Sequence, residues 1–143
     1  MAGTETRPTS QHGARRREMT AAEWKTIKWF KPEELDSPDK PGSGMGMQMD
    51  LMWRLDAIRW MIGQPLVVLS GFRTEEHNAQ VGGVDSSAHT GGFAVDLACR
   101  DSRLRFALVQ AALNVGISRI GIGGGFVHLD TDPSKAPNVT WLY

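Results

Sequence analysis

From Ser87 to Asp96 the chain reads Ser-Ala-His-Thr-Gly-Gly-Phe-Ala-Val-Asp, which sets His89 and Asp96 seven residues apart across the Gly91-Gly92 pair. A later stretch, Gly-Phe-Val-His-Leu-Asp, adds His128 and Asp130. Alternate residues of a strand share a face, so Ala94, Asp96 and Ala98 point one way while Val95 and Leu97 point the other. Phe126, His128 and Asp130 likewise share a face, with Val127 and Leu129 opposite. Each strand keeps an apolar face for a core and places a metal-competent side chain on its other face. The alanines flanking Asp96 leave open space around the carboxylate, and the glycine turn lets His89 and Asp96 reach one point. Two imidazoles and one carboxylate with an open fourth position make a ligand set suited to a catalytic zinc. Taken singly, each residue has a plainer reading: a buried Asp accepting hydrogen bonds from a loop, or a structural His. The three together, with small residues clearing the site, favour the metal.

These residues need elements to hold them. Leu51, Leu55, Ile58 and Ile62 recur at helical spacing from Met49 to Ile62, and Gly63 then Pro65 end that helix. Leu-Val-Val-Leu-Ser, residues 66–70, reads as a short strand buried on both faces. Residues 71–83 read as a turn, one or two helical turns and a Gly-Gly stop. Phe93 to Cys99 forms a second strand. Ser102 can cap a helix through Asn114, with Leu104, Ala107, Leu108, Ala111 and Ala112 on one face and Gly116 at its end. Residues 119–132 read as a glycine-rich bend followed by a third strand. Thr20 to Glu23 has the capping-box pattern; the alternative is an extended segment carrying Trp24, Ile27, Trp29 and Phe30 into the core. Helices and short strands mix irregularly, which predicts a compact α+β domain.

The 143 residues suffice for one domain with a core. Residues 1–19 are polar and aperiodic and read as a disordered tail. Lys plus Arg and Asp plus Glu both number 16, so no global field draws the chain to nucleic acid or to an anionic membrane. No apolar stretch approaches the roughly 20 residues that span a bilayer. The basic cluster Arg15 to Arg17 is not followed by an apolar run, so no secretory signal is expected and synthesis is placed in the cytoplasm. The single cysteine, Cys99, excludes an internal disulfide framework and reads as a small buried hydrophobe.

Ser-Gly-Phe-Arg at residues 70–73, His77-Asn78, the Ser87-to-Asp96 stretch and Gly-Ile-Gly-Gly-Gly-Phe-Val-His-Leu-Asp at 121–130 together resemble the zinc D,D-carboxypeptidase family of bacterial and phage cell-wall peptidases. Ser87, His89, Gly92, Ala94 and Asp96 fall on that family's Ser-x-His-x-x-Gly-x-Ala-x-Asp signature with no spacer changed. The resemblance covers about residues 29–143. It implies the fold shared with the hedgehog signalling domain, an α+β domain over residues 20–143 with a small antiparallel sheet flanked by helices. It also implies Zn2+ held by His89, Asp96 and His128 with water as fourth ligand. Arg73 would grip a substrate carboxylate or carbonyl, with Ser87 beside it on the substrate side; the plainer reading of Arg73 is a surface ion pair with Glu75 or Glu76. His77 is either a support for the site or a solvated helix residue.

One departure bears on mechanism. Many relatives place a Glu or His base a few residues before the last zinc His, where this chain has Gly123 to Val127, none of which can move a proton. Shorter relatives carry a His-x-Asp ending that His128-Leu129-Asp130 resembles. Asp130 is then the candidate base, or else it orients a ligand. The resemblance implies a zinc peptidase acting on the peptidoglycan stem peptide or cross-link, in phage or prophage lysis after holin release or virion delivery. The alternatives are a silent module that binds zinc and wall peptide, a phage virion component with virion proteins as partners, or a metal-free structural domain.

Overall fold

The computed structural model describes residues 18–143. In chain order the elements are α1 (Ala21–Trp24), 3-10 turns at Pro32–Leu35 and Ser43–Gly46, α2 (Met49–Ile62), β1 (Val68–Ser70), α3 (Glu75–Gln80), β2 (Ala94–Ala98), α4 (Ser102–Asn114), β3 (Arg119–Ile122), β4 (Phe126–Asp130) and β5 (Val139–Leu142). The strands form one sheet in the order β1-β2-β4-β3-β5. β1 to β4 pair antiparallel as expected, but β5 runs parallel to β3 and makes the sheet mixed at that edge.

The expected alternation carries the packing. Val95, Leu97, Val127 and Leu129 are fully buried, as are Leu51, Met52, Leu55 and Ile58 of α2 and Leu108 and Ala112 of α4. One face of the sheet and two helices thus share a single core, in which each fully buried Val, Leu, Ile or Met side chain contributes about 1.5–3 kcal/mol. The opposite sheet face is left for chemistry.

Several expectations change in detail. The capping box at Thr20 and Glu23 is present, yet α1 is a single turn, after which a turn at Lys25 and Thr26 and a bend at Lys28 and Trp29 carry Ile27 and Phe30 into the core. The helix reading thus holds for one turn, and of the alternative the burial of Trp24, Ile27 and Phe30 holds while the extended backbone does not. Two backbone amides of the segment, those of Lys28 and Trp29, donate to the Asp56 carboxylate on α2. The expected tail over residues 1–19 lies outside the described residues up to residue 17. Met19, at its end, is buried and its amide donates to the Met45 carbonyl. Asp101, not Ser102, caps α4, accepting from the Leu104 amide. The 66–70 strand is not buried on both faces: β1 is a sheet edge, with Val67 and Leu69 exposed. The glycine-rich bend is the tip of a β3–β4 hairpin, so one expected strand is two.

Candidate metal centre and its cleft

The turn from Ser87 to Phe93 is closed by its own backbone. The Thr90 amide donates to the Ser87 carbonyl, Gly92 to His89 and Phe93 to Ala88. The Ser87 hydroxyl oxygen accepts from the His89 amide at 3.2 Å. Gly92 has φ +78°, and a Cβ there would collide with the Gly46 carbonyl oxygen. Only glycine suits that position, which lets the turn press against the start of α2, where Gln48 hydrogen-bonds both Gly91 and Gly92.

This packing leaves His89 buried, with its Nδ1 2.8 Å from the Gly71 carbonyl oxygen. A carbonyl can only accept, so Nδ1 carries the hydrogen and a neutral ring keeps its lone pair on Nε2. That buried atom makes no hydrogen bond among the described residues and lies 3.3 Å from Asp96 Oδ1. Two acceptors this close repel unless a cation, a proton or a metal ion, lies between them.

Asp96 and His128 are direct partners across β2 and β4, and His128 Nδ1 lies 2.8 Å from the same Asp96 Oδ1. One donor atom each from His89, Asp96 and His128 falls within 4.8 Å of the others. Two imidazole nitrogens and a carboxylate oxygen converging on one point, with one nitrogen orphaned, fit a divalent metal of the zinc class.

The opposite ring nitrogen of His128 is also engaged. Nε2 donates to Asp130 Oδ2 at 2.7 Å, while Asp130 Oδ1 takes the Arg119 Nε–H at 2.7 Å and the Asp132 amide at 3.2 Å. Asp130 is buried and stands behind the His128 ring, with both oxygens occupied. Arg73 does not pair with Glu75 or Glu76. It donates from Nε to the Ser70 hydroxyl and from Nη1 to Asn78 Oδ1, and its Nη2 lies 3.7 Å from Asp96 Oδ2. His77, on α3, is absent from the lining of the cleft that the other residues share.

That cleft has a volume of about 490 Å³ and takes in Arg73, Ser87, His89, Asp96, His128 and Asp130. Four charged or aromatic contributors had no role in the sequence reading: Arg119, Lys135, Trp141 and Tyr143. The Trp141 ring stands 5.4 Å from that of His128, and the Arg119 guanidinium lies 5.2 Å from the Trp141 ring. The available signal was the alternation in Val-Thr-Trp-Leu-Tyr, which puts Trp141 and Tyr143 on one face of a terminal strand.

Charges in the cleft perturb one another. Burial alone would raise the Asp96 carboxyl, but the facing imidazoles of His128 and His89 hold it far below the usual carboxylate range. Burial would lower His128, yet hydrogen bonds to Asp130 and Asp96 raise it above its ordinary 6.5. Asp130, which burial would raise, is held below 3.8 chiefly by His128. In the metal-free protein the signs are therefore opposed. The two carboxylates contribute stability above their ordinary 3.8, lost as pH falls through their depressed values. His128 contributes stability below 6.5, lost as pH rises through its raised value. The melting temperature of chelator-treated protein is expected to peak between those limits and fall on the alkaline side; a profile that climbs steadily from about pH 5 to about pH 9 would contradict this.

Residues 20–130 match the peptidase M15 family. The chain belongs to that family. Over 76 residues it is 42% identical to the zinc D-Ala-D-Ala carboxypeptidase of Streptomyces albus G, an alignment covering 52% of this chain and 29% of that relative. The M15 chain thus aligns with less than a third of the length of that relative. Its α+β architecture, helices on one face of a small sheet, is consistent with the family's fold. Among the described residues no helix is long and apolar enough to cross a membrane.

Proposed function

We propose that this M15 chain is a zinc-dependent peptidase that hydrolyses a bond in the peptidoglycan stem peptide or its cross-link. The observation that carries the reading is the His89 Nε2 lone pair, orphaned and aimed at Asp96 Oδ1 in a cleft that also holds a guanidinium. His89 through Nε2, Asp96 through its carboxylate and His128 through Nδ1 hold the metal. Zinc bound there supplies Lewis-acid polarisation of the scissile carbonyl and an acidified water.

The chain's own residues do the rest. Arg73, fixed by Ser70 and Asn78 before any substrate arrives, receives a peptide carboxylate or carbonyl with little further ordering cost. Ser87 shapes the substrate side through the turn it closes. Asp130 acts through His128: it accepts the Nε2–H hydrogen bond, fixes the ring and makes Nδ1 a better electron-pair donor. The same geometry disfavours Asp130 as the base, because the imidazole stands between it and the ligand cluster. The setting proposed for this activity is phage or prophage lysis, with the wall reached after holin release or virion delivery; its support is the resemblance of the Ser87-to-Asp96 and His128-to-Asp130 motifs to those of bacterial and phage cell-wall peptidases.

The proposal is tested by incubating purified protein with peptidoglycan, with and without a chelator, and identifying the released peptides by mass. Release that stops with chelator and returns with added zinc is expected. Stem peptides ending in D-alanyl-D-alanine are the first to assay, given the activity named for the albus G relative. A second reading, a silent module binding zinc and wall peptide, is favoured by the absence of any Glu or His from Gly123 to Val127. Stoichiometric zinc with no release from any wall substrate would establish it instead.

A further inference from the structure

The sheet register aligns four residues in one row across the site face: Asp96 opposite His128, His128 opposite Gly121, and Gly121 opposite Trp141. Cross-strand partners project to the same side, so three side chains of this row face the cleft and the fourth position has none. A Cβ on Gly121 would come within 2.7 Å of Trp141 Nε1 and of Tyr143 Cε2. The gap at Gly121 is therefore what lets two aromatic rings, Trp141 of β5 and Tyr143 just beyond it, lean over β3 toward His128. Arg119, two residues earlier and on the same face, lies against the Trp141 ring while its Nε holds Asp130. Tyr143 in turn stands 4.9 Å from the Phe126 ring.

From this row we infer that Trp141 and Tyr143 form a substrate-gripping wall, resting on the peptidase reading above and adding to it the residues that bind the peptide's apolar part. Apart from Phe126, the remaining apolar lining comes from the segment before His89, where Val81, Gly82, Gly83, Val84 and Ala88 are all small. That segment leads into β2, on the other flank of His128 from β5. A cleft with flat rings on one flank, small side chains on the other and a guanidinium within it suits an extended peptide with small aliphatic side chains, of the alanyl class, and a carboxylate or carbonyl for Arg73. Aromatic faces grip methyl groups and peptide planes at low entropic cost. Gly121 is the positioning residue of this wall, since it touches no substrate and acts by the room it leaves.

The test uses zinc-loaded protein and a stem pentapeptide ending in D-alanyl-D-alanine. Trp141→Ala and Tyr143→Ala are each expected to raise KM, and the dissociation constant measured by equilibrium dialysis with the same peptide carrying a non-hydrolysable terminal bond, by roughly tenfold, as loss of uniform binding does. Zinc content should stay at the wild-type level. Trp141→Phe keeps a ring and should recover most of the affinity. Gly121→Ala leaves both rings in the chain but displaces them, and should weaken binding in the same direction. Unchanged KM and dissociation constant in both alanine variants of an active enzyme would overturn the wall. Loss of zinc in Trp141→Ala would overturn it too, making the indole a support of His128. A wild type that neither binds nor cleaves the peptide would overturn the peptidase reading, and the wall with it.

Discussion

His89→Ala and His128→Ala are expected to purify without stoichiometric zinc and to lose wall-peptide hydrolysis by about 10³-fold or more, the size of several kcal/mol of lost charge stabilisation. The two losses differ in cause. His89 is held by a carbonyl on Gly71 and by its own tight turn, so its removal deletes one donor and leaves the rest of the cluster in place. Removing His128 also leaves the Asp96 and Asp130 carboxylates without the imidazole that lies between them. Like charges in a partly buried site raise each other's pKa, so His128→Ala should melt lower than His89→Ala in the absence of metal. His128→Gln, which keeps a polar side chain between the acids, separates loss of ligand from loss of fold. Elemental analysis of protein purified without added metal is the deciding measurement. Full zinc stoichiometry in both alanine variants would refute the proposed ligand set.

How much of this was legible beforehand follows from which signals are local. The period-two pattern in Ala94 to Ala98 and Phe126 to Asp130 reports the two faces of β2 and β4 because each strand has one face in the core. The 3.6-residue pattern from Met49 to Ile62 reports α2 for the same reason, and the helix ends where Gly63 and Pro65 require. The apolar run at 66–70 misleads because hydrophobicity cannot distinguish a central strand from an edge. Leu66 is buried, but Val67 and Leu69 face outward on a strand with one neighbour. The partner of β5 was invisible for a different reason. The parallel pairing of β5 with β3 joins residues about twenty positions apart, and nothing in Val-Thr-Trp-Leu-Tyr says which strand it will find. The cleft follows the same division. His89 and Asp96 share one short stretch and could be seen, whereas the Arg119–Asp130 pair and the Trp141 ring exist only through register.

Asp130→Asn should weaken zinc binding by about 10–100-fold while leaving hydrolysis at saturating zinc close to wild type. The carboxamide oxygen can still accept a hydrogen bond from His128 Nε2–H, so the ring keeps its orientation and only the charge behind it is lost. Without that charge the imidazole is a poorer donor, and His128 no longer titrates as high. The Arg119 guanidinium also loses its ion partner in a nearly closed site, and breaking such a pair is destabilising. A lower melting temperature is therefore expected, and circular dichroism at the assay temperature must show the same folded fraction before affinities are compared. Competition with a chromophoric chelator measures the zinc affinity directly, which general destabilisation would not move in a protein that is still folded. The opposite pattern, unchanged zinc affinity with hydrolysis at saturating zinc down by about 10²–10⁴-fold, is what loss of a general base produces. That result would return Asp130 to the chemistry and require the His128 ring to swing aside in the substrate complex.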